Sequence, residues 1–93
     1  MVVLVMSWEL SIPGAGSLKE KRMVVRSMKD RMRNKFNVSV AETDFHDTWS
    51  RAELTVALVA SDRKRADSVA DSVDKFVAGE RRAVITGSQR DML

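Results

Sequence analysis

The chain of 93 residues contains no cysteine and one histidine, and aromatic side chains make up only 5% of it. The absence of cysteine excludes a disulfide framework, thiolate chemistry and any metal site with cysteine ligands. It agrees with a reducing compartment, and we expect a cytoplasmic protein.

Long apolar runs are also missing. No stretch approaches the roughly 20 apolar residues that a helix needs to cross a bilayer. The segment from Met1 to Met6 is apolar but has no basic residue before it and leads directly into Ser7 and Glu9, so a signal peptide is not expected. The apolar fraction of 44% is ordinary, and the length suits a single globular domain with its own core.

The hydrophobic pattern predicts four strands and two helices. A period of two marks each strand, whereas the helices show a period near 3.6 and begin at cap signals, Ser17 and the pair Ser61–Asp62. Gly79 is a plausible C-cap of the second helix. The predicted strands cover residues 2–12, 37–44, 51–60 and 82–86, and the helices cover residues 18–36 and 63–78. Residues 1–86 would form the domain, with a polar C-terminal tail at 87–93.

The element order β-α-β-β-α-β is typical of the α+β ferredoxin-like fold. This fold is a four-stranded antiparallel sheet with two helices on one face. Right-handed crossovers would place the first and third strands in the centre of the sheet.

The first helix has a strong start signal and two distinct faces. Ser17 and Glu20 form the S-x-x-E capping box. At about 100° per residue, one side of the helix is apolar and should face the core. The apolar stripe consists of Leu18, Val24, Val25, Met28, Met32 and Phe36.

A row of cations runs along one flank of this helix, and we call it the basic ridge. Its spacing of three and four residues makes it continuous over roughly 21 Å. Such clustering attracts phosphates. Alternatively, three aspartates of the second helix, here called the acidic stripe, pair with the ridge inside the domain, or the ridge is a solvated face. The ridge comprises Lys19, Arg22, Arg26, Lys29 and Arg33, and the stripe comprises Asp67, Asp71 and Asp74.

Three segments give the chain a resemblance to a known family. They are I-P-G-A-G-S-L-K-E-K-R, F-N-V-S-V-A-E-T-D and D-T-W-S-R-A. The chain resembles, from about Met1 to Thr86, the YlxP-like proteins, a small bacterial domain of unknown function. The resemblance implies a ferredoxin-like fold. The genes of the family often neighbour those of a translation initiation factor and a ribosome-binding factor, which implies by association a role near the ribosome.

The predicted open face of the sheet does not suit the RNA-recognition motif, although that motif shares this fold. The motif stacks bases on aromatic residues of its central strands, and here no outward position is aromatic. Four small apolar residues instead share one end of the face. They are Val3, Val5, Ala57 and Val59, and they would form either a homodimer surface or ordinary apolar surface. The edge strand after Asn37 is a second candidate dimer contact.

Signals for catalysis, metals or nucleotides are weak. Gly14-Ala15-Gly16 precedes a helix, but Lys19 stands where the third glycine of G-x-G-x-x-G belongs, so a plain turn is expected. A polar segment holds four residues of types that bind metals or transfer protons in other proteins. One histidine with loop carboxylates is weak evidence for a metal site. These residues are Glu42, Asp44, His46 and Asp47. We expect no catalytic residue, no metal and no cofactor.

Trp49 stands among polar loop residues. An exposed tryptophan would suit stacking on a base or contact with a protein partner. The preferred expectation is that it folds back over the end of the sheet, because aromatic residues usually bury most of their area.

Two functional hypotheses follow. The first is a non-enzymatic accessory protein that contacts ribosomal RNA or a ribosomal particle through the basic ridge. The second is a homodimeric structural or regulatory module that binds protein, with the ridge paired to the acidic stripe.

Overall fold

The computed structural model describes residues 1–93 and has the predicted element order. The predicted third strand agrees at both ends, and the first helix ends one residue earlier than predicted. The elements are β1 (Val2–Ser11), α1 (Leu18–Lys35), β2 (Ser39–Asp44), β3 (Arg51–Ala60), α2 (Arg63–Ala78) and β4 (Val84–Met92).

The four strands form one antiparallel sheet in the order β2-β3-β1-β4. The two ten-residue strands β1 and β3 are central and pair along their whole length, from Val2 opposite Ala60 to Ser11 opposite Arg51. β2 and β4 are the edges. The ferredoxin-like prediction is therefore confirmed, including the central position of the first and third strands.

The core lies between the sheet and the two helices. Alternate residues of β1 and β3 face it, as the period of two requires. Trp8 is fully buried, and its indole N–H donates to Asp74 Oδ1 at 2.8 Å, which satisfies the polar end of the ring. Asp74, a member of the acidic stripe, therefore bonds to a residue of β1.

The prediction of a tail at residues 87–93 is wrong. β4 continues to Met92 beside β1, and the backbone N–H of Leu93 donates to Val3 O at 2.8 Å. A register shift opposite Glu9 and Leu10 interrupts the alternation of β4. The residues after this shift are polar, because an edge strand needs few apolar side chains. The sequence therefore lacks the apolar alternation that would predict a strand there.

No helix of the structure is both long enough and apolar enough to cross a membrane.

Candidate nucleic-acid interface

The basic ridge lies on the outer flank of α1. Lys19, Arg22 and Arg26 are exposed, Lys29 is half-buried, and none of these four has a carboxylate within salt-bridge distance. Like charges at these spacings repel by a few tenths of a kcal/mol per pair. The four groups therefore form an uncompensated strip of positive charge.

Arg33, the last member of the ridge, is already engaged. Its Nη1 lies 3.6 Å from Asp30 Oδ1, and its Nη2 donates to Val40 O at 2.9 Å. This second contact places the C-terminal end of the ridge beside edge strand β2. Arg33 is consequently a weaker candidate for phosphate contact than the other four.

The acidic stripe does not pair with the ridge. Asp67 and Asp71 lie 3.7 and 3.1 Å from Arg90 Nη1 in β4, and Asp74 accepts the hydrogen bond from Trp8. The alternative in which helix two neutralises the ridge is therefore wrong for this structure.

The two charged rows face away from each other for a geometric reason. α2 approaches α1 through Phe76, whose ring meets that of Phe36 edge-on with centroids 6.0 Å apart. Asp67 and Asp71 lie about 140–180° around α2 from Phe76, at 100° per residue. Arg22 and Arg26 lie at the same angles on α1 from Arg31, which also reaches Phe76.

An exposed methionine lies beside the ridge. Met23 follows Arg22 on the surface of α1 and is 63% exposed. It lines a shallow depression together with Lys19, Arg22 and Arg26. This surface therefore offers an apolar side chain next to cations.

Lys21, also in α1, is the one charged residue that is fully buried. Its Nζ donates to Phe45 O at 2.6 Å and to His46 O at 3.4 Å. It also lies 2.7 Å from Glu42 Oε2, as a buried ion pair. Lys21 therefore holds the connection between β2 and β3 against α1.

This role of Lys21 was not predicted, although the helical spacing indicates it. Lys21 lies three and four residues before Val24 and Val25, and seven before Met28. It therefore belongs to the apolar face of α1. A basic residue on an apolar stripe implies a buried partner, here the Glu42 carboxylate.

The loop at residues 45–50 has a defined backbone. Phe45 has φ of 62°, a conformation unusual for a residue other than glycine, and its N–H donates to Asp44 Oδ1 at 2.7 Å. The Arg51 guanidinium lies over the Phe45 ring, 4.0 Å from its centroid. Backbone bonds from Thr48 N to Phe45 O and from Ile12 N to Ser50 O close the loop.

Three of the four candidate metal or acid–base residues have other contacts, and Asp47 makes no hydrogen bond or ion pair within the chain. Glu42 pairs with Lys21, Asp44 accepts the Phe45 N–H, and His46 Nε2 lies 3.1 Å from Glu42 O. Nowhere in the chain do three or more histidine, aspartate or glutamate side chains come together as metal ligands.

The turn before α1 offers little to a phosphate. Ser17 Oγ accepts the Glu20 N–H at 3.1 Å, as the capping box predicts. The Glu20 carboxylate accepts the N–H of Gly16 at 2.5 Å. A carboxylate thus stands where an anion would bind.

Trp49 does not bury most of its area, so the preferred expectation of a largely buried side chain is wrong. The residue is 52% exposed, and its indole N–H makes no hydrogen bond within the chain. This is the opposite of Trp8, and it leaves a large aromatic surface open at the loop.

A second charged cluster joins the two helices. Glu80, after α2, is 8% exposed in its side chain and accepts from Arg31 Nη2 at 2.7 Å and Arg82 Nη2 at 2.6 Å. Burial alone would raise the pKa of this carboxyl. The hydrogen bonds and charges of Arg82 and Arg31 outweigh burial and lower its pKa below the ordinary value of about 4.5.

We expect this cluster to make stability depend on pH in the acid range. Because the folded pKa of Glu80 lies below its unfolded value, its contribution is complete above about pH 4.5 and is lost as pH falls through the lowered pKa. Glu80→Gln should lower the melting temperature near neutral pH by about 4–8 °C, which corresponds to about 1 kcal/mol. This difference should shrink at low pH in thermal denaturation followed by circular dichroism. Asp30→Asn, which removes an exposed pair with Arg33, is the control and should change little. A pH-independent difference for Glu80→Gln would contradict the assignment.

The open face of the sheet is largely polar. The hydroxyl group of Thr55 in β3 bonds to that of Ser7 in β1 and to that of Thr43 in β2. Arg51 pairs with Glu9. The predicted apolar area lies at the other end, where Val59 is 67% exposed.

Comparison with known proteins places the chain in a family. The family described as "Protein of unknown function (DUF503)" matches residues 3–90. The chain belongs to this family. Uncharacterized protein YlxP of Bacillus subtilis (strain 168) is 42% identical over 69 residues, which cover 74% of this chain and 75% of that protein. The YlxP-like resemblance is thereby confirmed, and the match to residue 90 includes most of β4.

Proposed function

We propose that the protein is a non-enzymatic accessory protein of the cytoplasm that binds ribosomal RNA or an assembling ribosomal particle. The basic ridge would contact the phosphates. No sequence reading by the ridge is proposed, because phosphate contacts give affinity and position without sequence choice.

The observation that supports this proposal is that none of Lys19, Arg22, Arg26 and Lys29 has a carboxylate within salt-bridge distance. A solvated charged face would normally mix both signs, whereas the one carboxylate that lines the depression beside the ridge belongs to Asp30, which pairs with Arg33. Four adjacent cations on one rigid helix match the charge spacing of a polyanion. The genetic neighbourhood implied by the family resemblance agrees with an RNA ligand.

The test is binding to single-stranded RNA and to ribosomal subunits at several salt concentrations. Four phosphate contacts to a single strand predict a slope near −3 for log affinity against log salt. Affinity should then fall roughly 50-fold between about 50 and 200 mM monovalent salt. Fluorescence anisotropy measures the RNA slope, and co-sedimentation with subunits at the two salt concentrations tests the particle. Affinity that is independent of salt would contradict the proposal.

The second candidate is a homodimeric interaction module, and the apolar area around Val59 is the observation in its favour. In the form proposed from the sequence it also required the ridge to pair with the acidic stripe, which the geometry does not support. Light scattering separates a monomer of 10.4 kDa from a dimer of twice that mass.

A further inference from the structure

Trp49 lies at the end of the molecule where the basic ridge begins, because of how the chain connects the elements. Lys21 stands between Lys19 and Arg22 in α1, and its Nζ donates to Phe45 O in the loop that carries Trp49. The first turn of α1, which carries Lys19 and Arg22 on another face, therefore packs against this loop. At the other end, Arg33 contacts Val40 in β2, so the ridge follows β2 toward the same loop.

The backbone of the loop that carries Trp49 is also ordered before any ligand binds. Its carbonyl groups bond to a buried lysine on one side and its last residue, Ser50, accepts the N–H of Ile12 on the other. A half-exposed indole on such a loop needs little ordering when a ligand binds. Pre-ordered aromatic surface of this kind is what bases stack on in proteins that bind single strands.

From this arrangement we infer that Trp49 stacks on an unpaired base of a single-stranded RNA segment whose phosphates follow the basic ridge. The inference rests on the proposed function and extends it, because it names the class of RNA. A duplex keeps its bases stacked on one another and offers no free base face to Trp49. The protein should therefore prefer single-stranded loops or ends over duplex RNA.

The unpaired cations at the start of the ridge favour RNA over a protein partner as the occupant, whereas the carboxylates of Asp44 and Asp47 lie at the loop itself. A protein hot spot built on tryptophan is typically surrounded by a ring of contacts that excludes water. Trp49 instead neighbours exposed polar residues, Asp47 and Ser50, and its loop packs against the turn of α1 at which the row of unpaired cations begins. A phosphate chain with splayed bases matches both features together.

Binding of a single-stranded oligouridylate of about 12 nucleotides tests the inference, compared with a duplex and with inorganic polyphosphate. Trp49→Ala should weaken oligouridylate binding roughly 5- to 150-fold and leave the salt slope unchanged. It should not alter polyphosphate binding, since polyphosphate has no bases. Trp49→Phe should retain most of the affinity, and Val59→Ala is the control for loss of an exposed apolar side chain.

Intrinsic fluorescence gives a second measurement. RNA should quench the emission of the wild-type protein through Trp49 but not the remaining emission of Trp49→Phe, which comes from buried Trp8. Unchanged RNA affinity in Trp49→Ala, with no quenching of the wild type, would overturn the inference in favour of a protein partner and leave the proposed function intact. Equal losses for oligouridylate and polyphosphate would also overturn it. No RNA binding by the wild type would defeat both.

Discussion

Replacing Lys21 by methionine is expected to lower the free energy of unfolding by about 3–5 kcal/mol. Methionine fills a similar space but has no charge, so the Glu42 carboxylate, which is only 14% exposed, loses its counterion. The carbonyl groups of Phe45 and His46 lose their donor at the same time. For a domain of this size the melting temperature should fall by at least about 12 °C.

A matched substitution and a double variant serve as controls for the loss of stability in Lys21→Met. Lys19→Met removes an exposed lysine from the same turn of α1 and should change stability by no more than about 0.5 kcal/mol. Lys21→Met combined with Glu42→Leu should recover part of the loss, because it removes the unpaired carboxylate but not the unsatisfied carbonyls. Equal stability of Lys21→Met and wild type in urea denaturation would show that the buried pair contributes nothing.

The second large effect concerns RNA binding. Lys19→Glu, Arg22→Glu and Arg26→Glu together should weaken binding to single-stranded RNA at least about 100-fold at low salt. The estimate follows from counterion release alone, since each of the three contacts contributes a factor of roughly eight at 50 mM salt. The slope of log affinity against log salt should fall from near −3 to near −0.7, with one contact left.

The chain offers a control with the same change in charge. Arg63, Lys64 and Lys75 are exposed cations of α2 without a paired carboxylate. Their replacement by glutamate gives the same net charge on the other helix. If position on the ridge matters, this triple variant keeps the wild-type slope and most of the affinity. Equal losses in both variants would mean that only the net charge attracts RNA, and the proposed interface would be wrong.

The fold could be predicted from the sequence because its long elements have strong periodicity. β1 and β3 alternate over ten residues, and α1 has both a capping box and a continuous apolar stripe. β4 could be predicted only in part, since its second half is polar and a register shift opposite Glu9 breaks its alternation. Its pairing partner, β1, is distant in the sequence, so no local sequence pattern indicates the pairing.

Two features of the site could have been predicted from the sequence, and a third could not. The orientation of the acidic stripe was available from helical angles, because Asp67 and Asp71 lie on the flank of α2 opposite Phe76. The burial of Lys21 was likewise available from its place on the apolar stripe. The exposure of Trp49 was not available, because it depends on a loop whose path is set by distant contacts with α1 and β1.

The burial of Lys21 has a chemical consequence. Reagents that acylate amines can reach the exposed lysines of the folded protein at once, but the Lys21 amine is accessible only when the β2–β3 connection separates from α1. Its acylation rate would therefore measure how often this connection opens, as a local event distinct from global unfolding. The acylation rate of Lys21 thus reports on motion of the backbone next to the surface where RNA is proposed to bind.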